Sequence, residues 1–160
     1  MAIIQTRKFS ALLAGLILPF FLTGCASTGD VKNGVSTSSN ESKMSLPAQT
    51  LQTGECGLFV WAASPAKPFI LFSEQAKARA LWFNESQEPL TLIESAGGNS
   101  YGQSSINAYQ RTNGQTLALS LTDAEAIEGG MRYKSGTLSY MTSDGWGKVV
   151  PVIGLAACQT

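Results

Sequence analysis

The chain lacks histidine entirely, has only three cysteines among 160 residues, and is only 14% charged. Without histidine there is no Ser-His-Asp or Cys-His nucleophile system, no imidazole metal ligand, and no side chain whose unperturbed pKa lies near neutrality. Eleven basic residues balance eleven acidic ones. No basic cluster is present to displace counterions from phosphate, which argues against a nucleic-acid partner. Gly-rich phosphate loops, Cys-x-x-Cys pairs, acidic metal loops and internal repeats are missing too, so neither a cofactor nor a metal is expected.

Long apolar runs are scarce as well, and the one that stands out lies at the start. Arg7 and Lys8 precede Phe9 to Leu22, a stretch broken only by Ser10, Gly15 and Pro19. As a helix it reaches roughly 21 Å, short of the roughly 30 Å hydrocarbon core, which fits a signal h-region better than a permanent span. It ends at Leu22-Thr23-Gly24-Cys25. This tetrapeptide resembles a bacterial lipobox, and the resemblance implies removal of residues 1–24 and acylation of Cys25, palmitate included. Ala26 rather than Asp follows, which implies onward export to the outer membrane, with the domain facing the periplasm. Two or three acyl chains hold a protein on a bilayer essentially permanently.

Residues 25–50 are rich in Ser, Thr, Asn and Gly and contain no aromatic residue. Such a stretch buries too little surface to offset chain entropy, so it reads as a tether reaching about 25–30 Å. Residues 51–160 then form one domain, with seven basic residues against nine acidic ones.

That domain reads as short strands. Leu117, Leu119 and Leu121 alternate with Ala118, Ser120 and Thr122, the period of two expected of half-buried strands. Apolar runs at Cys56 to Ala62, Phe69 to Ser73, Ala80 to Asn84 and Pro89 to Glu94 are separated by turn residues, among them Ser64-Pro65, Gly97-Gly98-Asn99 and Gly129-Gly130. Asn113-Gly114 predicts a hairpin between 104–112 and 115–121, since Asn-Gly tolerates the positive φ angles of a type I′ turn. Asp144-Gly145 predicts another, joining 136–142 to 146–152. Only Glu74 to Ala80 and Thr122 to Ile127 have helical propensity, each for one or two turns. The expected fold is all-β, an antiparallel sandwich or small barrel of seven or eight strands.

With Cys25 consumed by lipid in an oxidising envelope, Cys56 and Cys158 remain as the natural disulfide pair, one at each domain edge. A bond between them closes a loop of about 100 residues, for which chain entropy gives about 4.7 kcal/mol.

Catalytic candidates reduce to nine carboxylates: Glu55, Glu74, Glu85, Glu88, Glu94, Asp123, Glu125, Glu128 and Asp144. Beside turns in so small a domain these read as solvated, and the chain is expected not to be an enzyme. In the first strand Phe59 and Trp61 share one face opposite Leu58 and Val60. Both faces are therefore apolar, which means a strand covered on both sides or a surface used for a partner.

The segments Glu55-Cys56-Gly57-Leu58-Phe59 and Pro151-Val152-Ile153-Gly154-Leu155-Ala156-Ala157-Cys158 resemble the two ends of an uncharacterised family of small bacterial envelope proteins, a likeness that implies no activity. Gly130-Met131-Arg132-Tyr133, followed by Trp146 and Lys148, is similar over about 25 residues to membrane-bound inhibitors of C-type lysozyme. That family is lipobox-anchored and built as small antiparallel β-domains. Its pattern is Ser-Gly-x-x-Tyr, a strand, a Trp and a Lys-Gly turn; Gly129 stands here in the serine's place, and Lys148 lies past the Trp. The reading is a lipid-anchored envelope protein that acts by binding or structural support. The membrane, through the lipid, and an envelope protein are its expected partners, and Phe59, Trp61, Tyr133 and Lys148 its candidate contacts. Inhibition of C-type lysozyme and binding of a small apolar ligand are the alternatives.

Overall fold

A computed structural model describes residues 44–160. The expected signal segment, Cys25 and most of the tether fall outside these residues. Eight antiparallel strands follow in order: β1 (Cys56–Ala62), β2 (Phe69–Glu74), β3 (Arg79–Asn84), β4 (Ser86–Ser100), β5 (Gln103–Gln110), β6 (Thr116–Ile127), β7 (Gly130–Met141) and β8 (Gly147–Cys158). Each pairs with the next, and β8 returns to β1 to close a barrel. Closure removes the free edges that an open sheet would expose. Between sandwich and barrel, the chain takes the barrel.

Cys56 lies directly opposite Cys158 in the β1–β8 ladder, and the two are disulfide-bonded across 102 residues of sequence. The seam that closes the barrel is thus also covalent.

Strand register sorts the side chains into two walls, because residues directly opposite one another share a face. Leu58, Val60 and Ala62 of β1 pair with Ala156, Gly154 and Val152 of β8 and point inward. Another inward row runs Tyr109, Leu117, Tyr140, Lys148 from β5 to β8. Leu71, Trp82, Leu119, Leu121, Tyr133 and Leu138 complete a core in which Leu58, Val60, Leu71, Tyr109 and Leu117 are fully buried. Eight strands give an interior that side chains of this size fill.

Glycine is required where the walls come too close for a side chain. A Cβ on Gly136 would lie 2.5 Å from the Ser120 carbonyl oxygen, and one on Gly154 would lie 3.0 Å from a Leu121 methyl.

Several local expectations change. The segment 122–127, expected as a helical turn, continues β6 and pairs with β7 from Thr122↔Ser135 to Ile127↔Gly130. An extended partner strand outweighs the modest propensity of Ala-Glu-Ala. Within 74–80 the helical part is one 3-10 turn, Gln75–Lys77. Gly97-Gly98-Asn99 is no turn: it lies inside β4, where the β4–β5 register shifts between Ala96 and Asn99. The chain reverses instead at Tyr101-Gly102, both with positive φ (53° and 66°), as a two-residue primed turn demands. At Asn113-Gly114 only the glycine has positive φ, and the Gly114 N–H bonds Arg111 O while the Arg111 N–H bonds Gln115 O. Thr142 to Trp146 repeats this pattern. Both hairpins form as expected but with a longer loop than a type I′ turn.

The packed chain also begins earlier than residue 51. The Leu46 N–H bonds Phe69 O, Leu46 is buried, and the Gly54 N–H bonds Gln159 O. Residues 44–54 therefore run as a strap along the outside of the barrel, from the end where β2 starts to the end that holds the disulfide.

Candidate functional site

The odd-numbered face of β1 opens outward. Phe59 pairs with Leu155, which in turn pairs with Arg132, and Trp61 pairs with Ile153. Phe59 stacks on Trp61 (ring centroids 6.3 Å) and Phe69 (6.0 Å) and meets Phe72 at a tilt (5.1 Å), so the aromatic excess of the first two strands gathers into one external cluster. The strap covers part of it, where a Cβ on Gly57 would meet both Phe72 and Leu51. Phe59 and Trp61 stay half-buried.

Beside the cluster is a hollow of about 360 Å³ on the β7–β8–β1 wall, lined by Trp61, Ile127, Arg132, Lys134, Ile153 and Leu155, with Tyr133 and Gly154 of the inward row as its floor. Arg132 and Lys134 share a single carboxylate, Glu125, at 3.7 and 3.5 Å. Two cations on one anion leave an excess of positive charge at the rim of an apolar surface. Such a hollow suits an apolar anchor with a carboxylate next to it.

Of the expected contacts, Phe59, Trp61 and Tyr133 are thus brought together, but Tyr133 offers little surface, being only 2% exposed. Lys148 is not with them. It lies at the barrel end opposite the disulfide, its ammonium 5.8 Å from the Tyr140 ring centroid. There it edges a second, largely apolar hollow of about 320 Å³ formed by Met44, Trp82, Leu138, Tyr140, Val150 and neighbours.

That mouth also holds an ion pair that the sequence offers no means to match up. Arg111 stacks on the buried Trp82 ring at 4.8 Å and pairs with Glu88 at 3.0 Å, while Trp82 meets Tyr140 edge-on at 4.7 Å. Burial raises the Glu88 pKa, but bonds from Arg111 and from the Thr112 N–H and hydroxyl outweigh it and hold the carboxyl below its usual range.

At the disulfide end, the buried Glu74 carboxylate takes Lys77 at 2.7 Å and Arg79, and Lys77 also reaches Glu55 at 2.7 Å. Lys77 lowers the Glu55 pKa and the two carboxylates raise that of Lys77. The Gln75 and Gln103 side chains close this end, Gln75 Oε1 accepting from the Ser104 N–H and Gln103 Nε2 donating to Cys56 O. In the core, the Tyr109 and Ser73 hydroxyls lack well-formed hydrogen bonds; burial pushes the Tyr109 phenol up to about 12, and nearby Ser73 lowers it only in part.

Among the described residues no group of three or more His, Cys, Asp or Glu is placed to hold a metal ion, and no helix is long and apolar enough to cross a membrane. Trp61 stands out in the sequence, whereas its neighbours Ile153 and Leu155 are not among the expected contacts. Their alternation with Gly154 and Ala156 was a legible signal for an apolar outer face on β8. The chain matches no protein-family model, no curated protein and no solved structure.

Proposed function

We propose that the protein is a lipid-anchored envelope protein that acts by binding rather than catalysis, and that the β7–β8–β1 wall is its docking surface. The observation that carries this reading is the contrast between the two sides of β1. The inner side is spent on a packed core, whereas the outer side presents Phe59 and Trp61 beside a hollow whose rim carries Arg132 and Lys134. The occupant that fits is a protein segment with an aromatic or aliphatic anchor next to a carboxylate. Half-buried aromatics surrounded by aliphatic residues are the composition of interface anchors. Lipidation at Cys25 places such a surface on a membrane, with the domain held in the periplasm.

Site-specific photocrosslinking in intact envelopes tests this. A benzophenone side chain in place of Trp61 is expected to give one discrete protein adduct, lost when Arg132→Glu reverses the rim charge. The same probe in place of Ala118, on the outward face of β6, is expected to give none. Equal adducts from both positions, or none from either, would overturn the assignment of this wall.

A further inference from the structure

The two barrel ends differ in charge and apolarity, and the chain enters at only one of them. The end opposite the disulfide comprises the β1–β2, β3–β4, β5–β6 and β7–β8 connections. Three basic residues, Lys67, Arg111 and Lys148, belong to that half of the barrel with three acidic ones, Glu85, Glu88 and Asp144. The disulfide half holds four basic residues (Lys77, Arg79, Arg132, Lys134) against six acidic ones (Glu55, Glu74, Glu94, Asp123, Glu125, Glu128). The net negative charge of the domain therefore sits at the disulfide end.

Of the seven large apolar side chains that are exposed among the described residues, four lie at the other end, while Ile93 and Ile106 sit in mid-strand and Tyr101 at the disulfide end. Trp146, at the tip of the β7–β8 hairpin, is 77% exposed, Met44 75%, Val149 63% and Met141 42%. Three of them are linked through two adjoining hollows, and Trp146 stands in the turn that follows Met141. Met141 and Val149 line a hollow on the outside of β6–β8, Met44 lines the mouth hollow, and Lys148 and Tyr140 belong to both. Trp146 is presented deliberately: its N–H bonds the Thr142 hydroxyl, its carbonyl accepts the Thr142 N–H, and Gly145 supplies the positive φ that the turn requires.

From this we infer that the end of the barrel carrying Met44 and Trp146 rests on the lipid bilayer, with Trp146 seated at the headgroup level. The inference rests on acylation of Cys25. Eighteen residues separate Cys25 from Met44, and Met44 belongs to this end of the barrel, so this end is the one tied closest to the anchor. Trp prefers the membrane–water interface, where its apolar ring and polar N–H are both satisfied. A charge-balanced end approaches an anionic surface without penalty, while the acidic disulfide end is repelled. In this orientation the β7–β8–β1 wall stands upright from the membrane and stays open to a partner.

The test uses the full lipidated chain in vesicles of phosphatidylethanolamine and phosphatidylglycerol, with and without bromine on the upper acyl chain as a fluorescence quencher. Wild-type emission, which comes from three tryptophans, is expected to drop in brominated vesicles, and Trp146→Phe is expected to abolish that drop. Protein that floats with the vesicles but shows no quenching, or equal quenching with and without Trp146, overturns the orientation while leaving the lipid anchor intact. Protein that lacks an acylated Cys25 peptide by mass spectrometry and fails to float overturns the anchor, and the orientation with it.

Discussion

The two faces of β1 carry similar residues and have different fates. Leu58 and Val60 point inward and are fully sealed, while Phe59 and Trp61, one step along the same strand, point outward and stay half-buried. The inner pair belongs to one buried cluster with Leu71, its neighbour on β2, and with Trp82 of β3 and Leu121 of β6. The outer pair meets only its own neighbours and part of the strap. Hydrophobicity alone therefore does not decide what is core. The decision belongs to what lies across from a residue, and closure of the barrel supplies that for one face and withholds it from the other.

The largest expected effect comes from cutting the seam that separates the two faces. Cys56→Ser removes the covalent link of the β1–β8 ladder, and chain entropy over this loop gives a loss of about 4.7 kcal/mol, read as a fall in denaturant midpoint relative to wild type under oxidising conditions. Trp82→Ala attacks the inner wall alone, removing the ring between Arg111 and Tyr140, and is expected to cost about 3–5 kcal/mol in the same titration. Glu88→Gln breaks the pair beneath that ring, at about 1–3 kcal/mol. Because the folded pKa of Glu88 is lowered, its contribution is present above the ordinary carboxylate range and is lost as pH falls through the folded value. The gap between wild type and Glu88→Gln should hold near neutrality and close on acidification. Tyr109→Phe is the smallest effect. Its hydroxyl is buried without a well-formed partner, so its removal is expected to leave stability unchanged or raise it by up to about 1 kcal/mol. A loss above that would show that the hydroxyl is satisfied.

Most strands are legible because they alternate or run apolar between turn residues, the second half of β4 and the end of β6 excepted, and the disulfide because two cysteines bracket the domain. Barrel rather than sandwich was not legible, since it depends on β8 finding β1 across about 100 residues. The end of β6 was misread for a related reason: Ala124, Glu125 and Ala126 favour a helix locally, and only the partner strand from Met131 to Tyr133 makes them extended. At the candidate site, period two placed Phe59 and Trp61 on one face. The likeness to lysozyme inhibitors grouped Lys148 with Tyr133, because sequence distance does not show that a long strand pair carries its residues to opposite ends of the barrel. Arg111, Glu88 and Trp82 come from the β5–β6 connection, β4 and β3, and nothing in their spacing announces that they meet.

The central claim is that the outer face of β1 is surface held ready for a partner and the inner face is core. Parallel denaturant titrations of Leu58→Ala and Trp61→Ala test it most directly. The account predicts a loss of about 2–5 kcal/mol for Leu58→Ala and about 1 kcal/mol or less for Trp61→Ala. A Trp61→Ala loss of about 3–5 kcal/mol, the cost of emptying a core aromatic site, would make Trp61 a core residue and contradict the account.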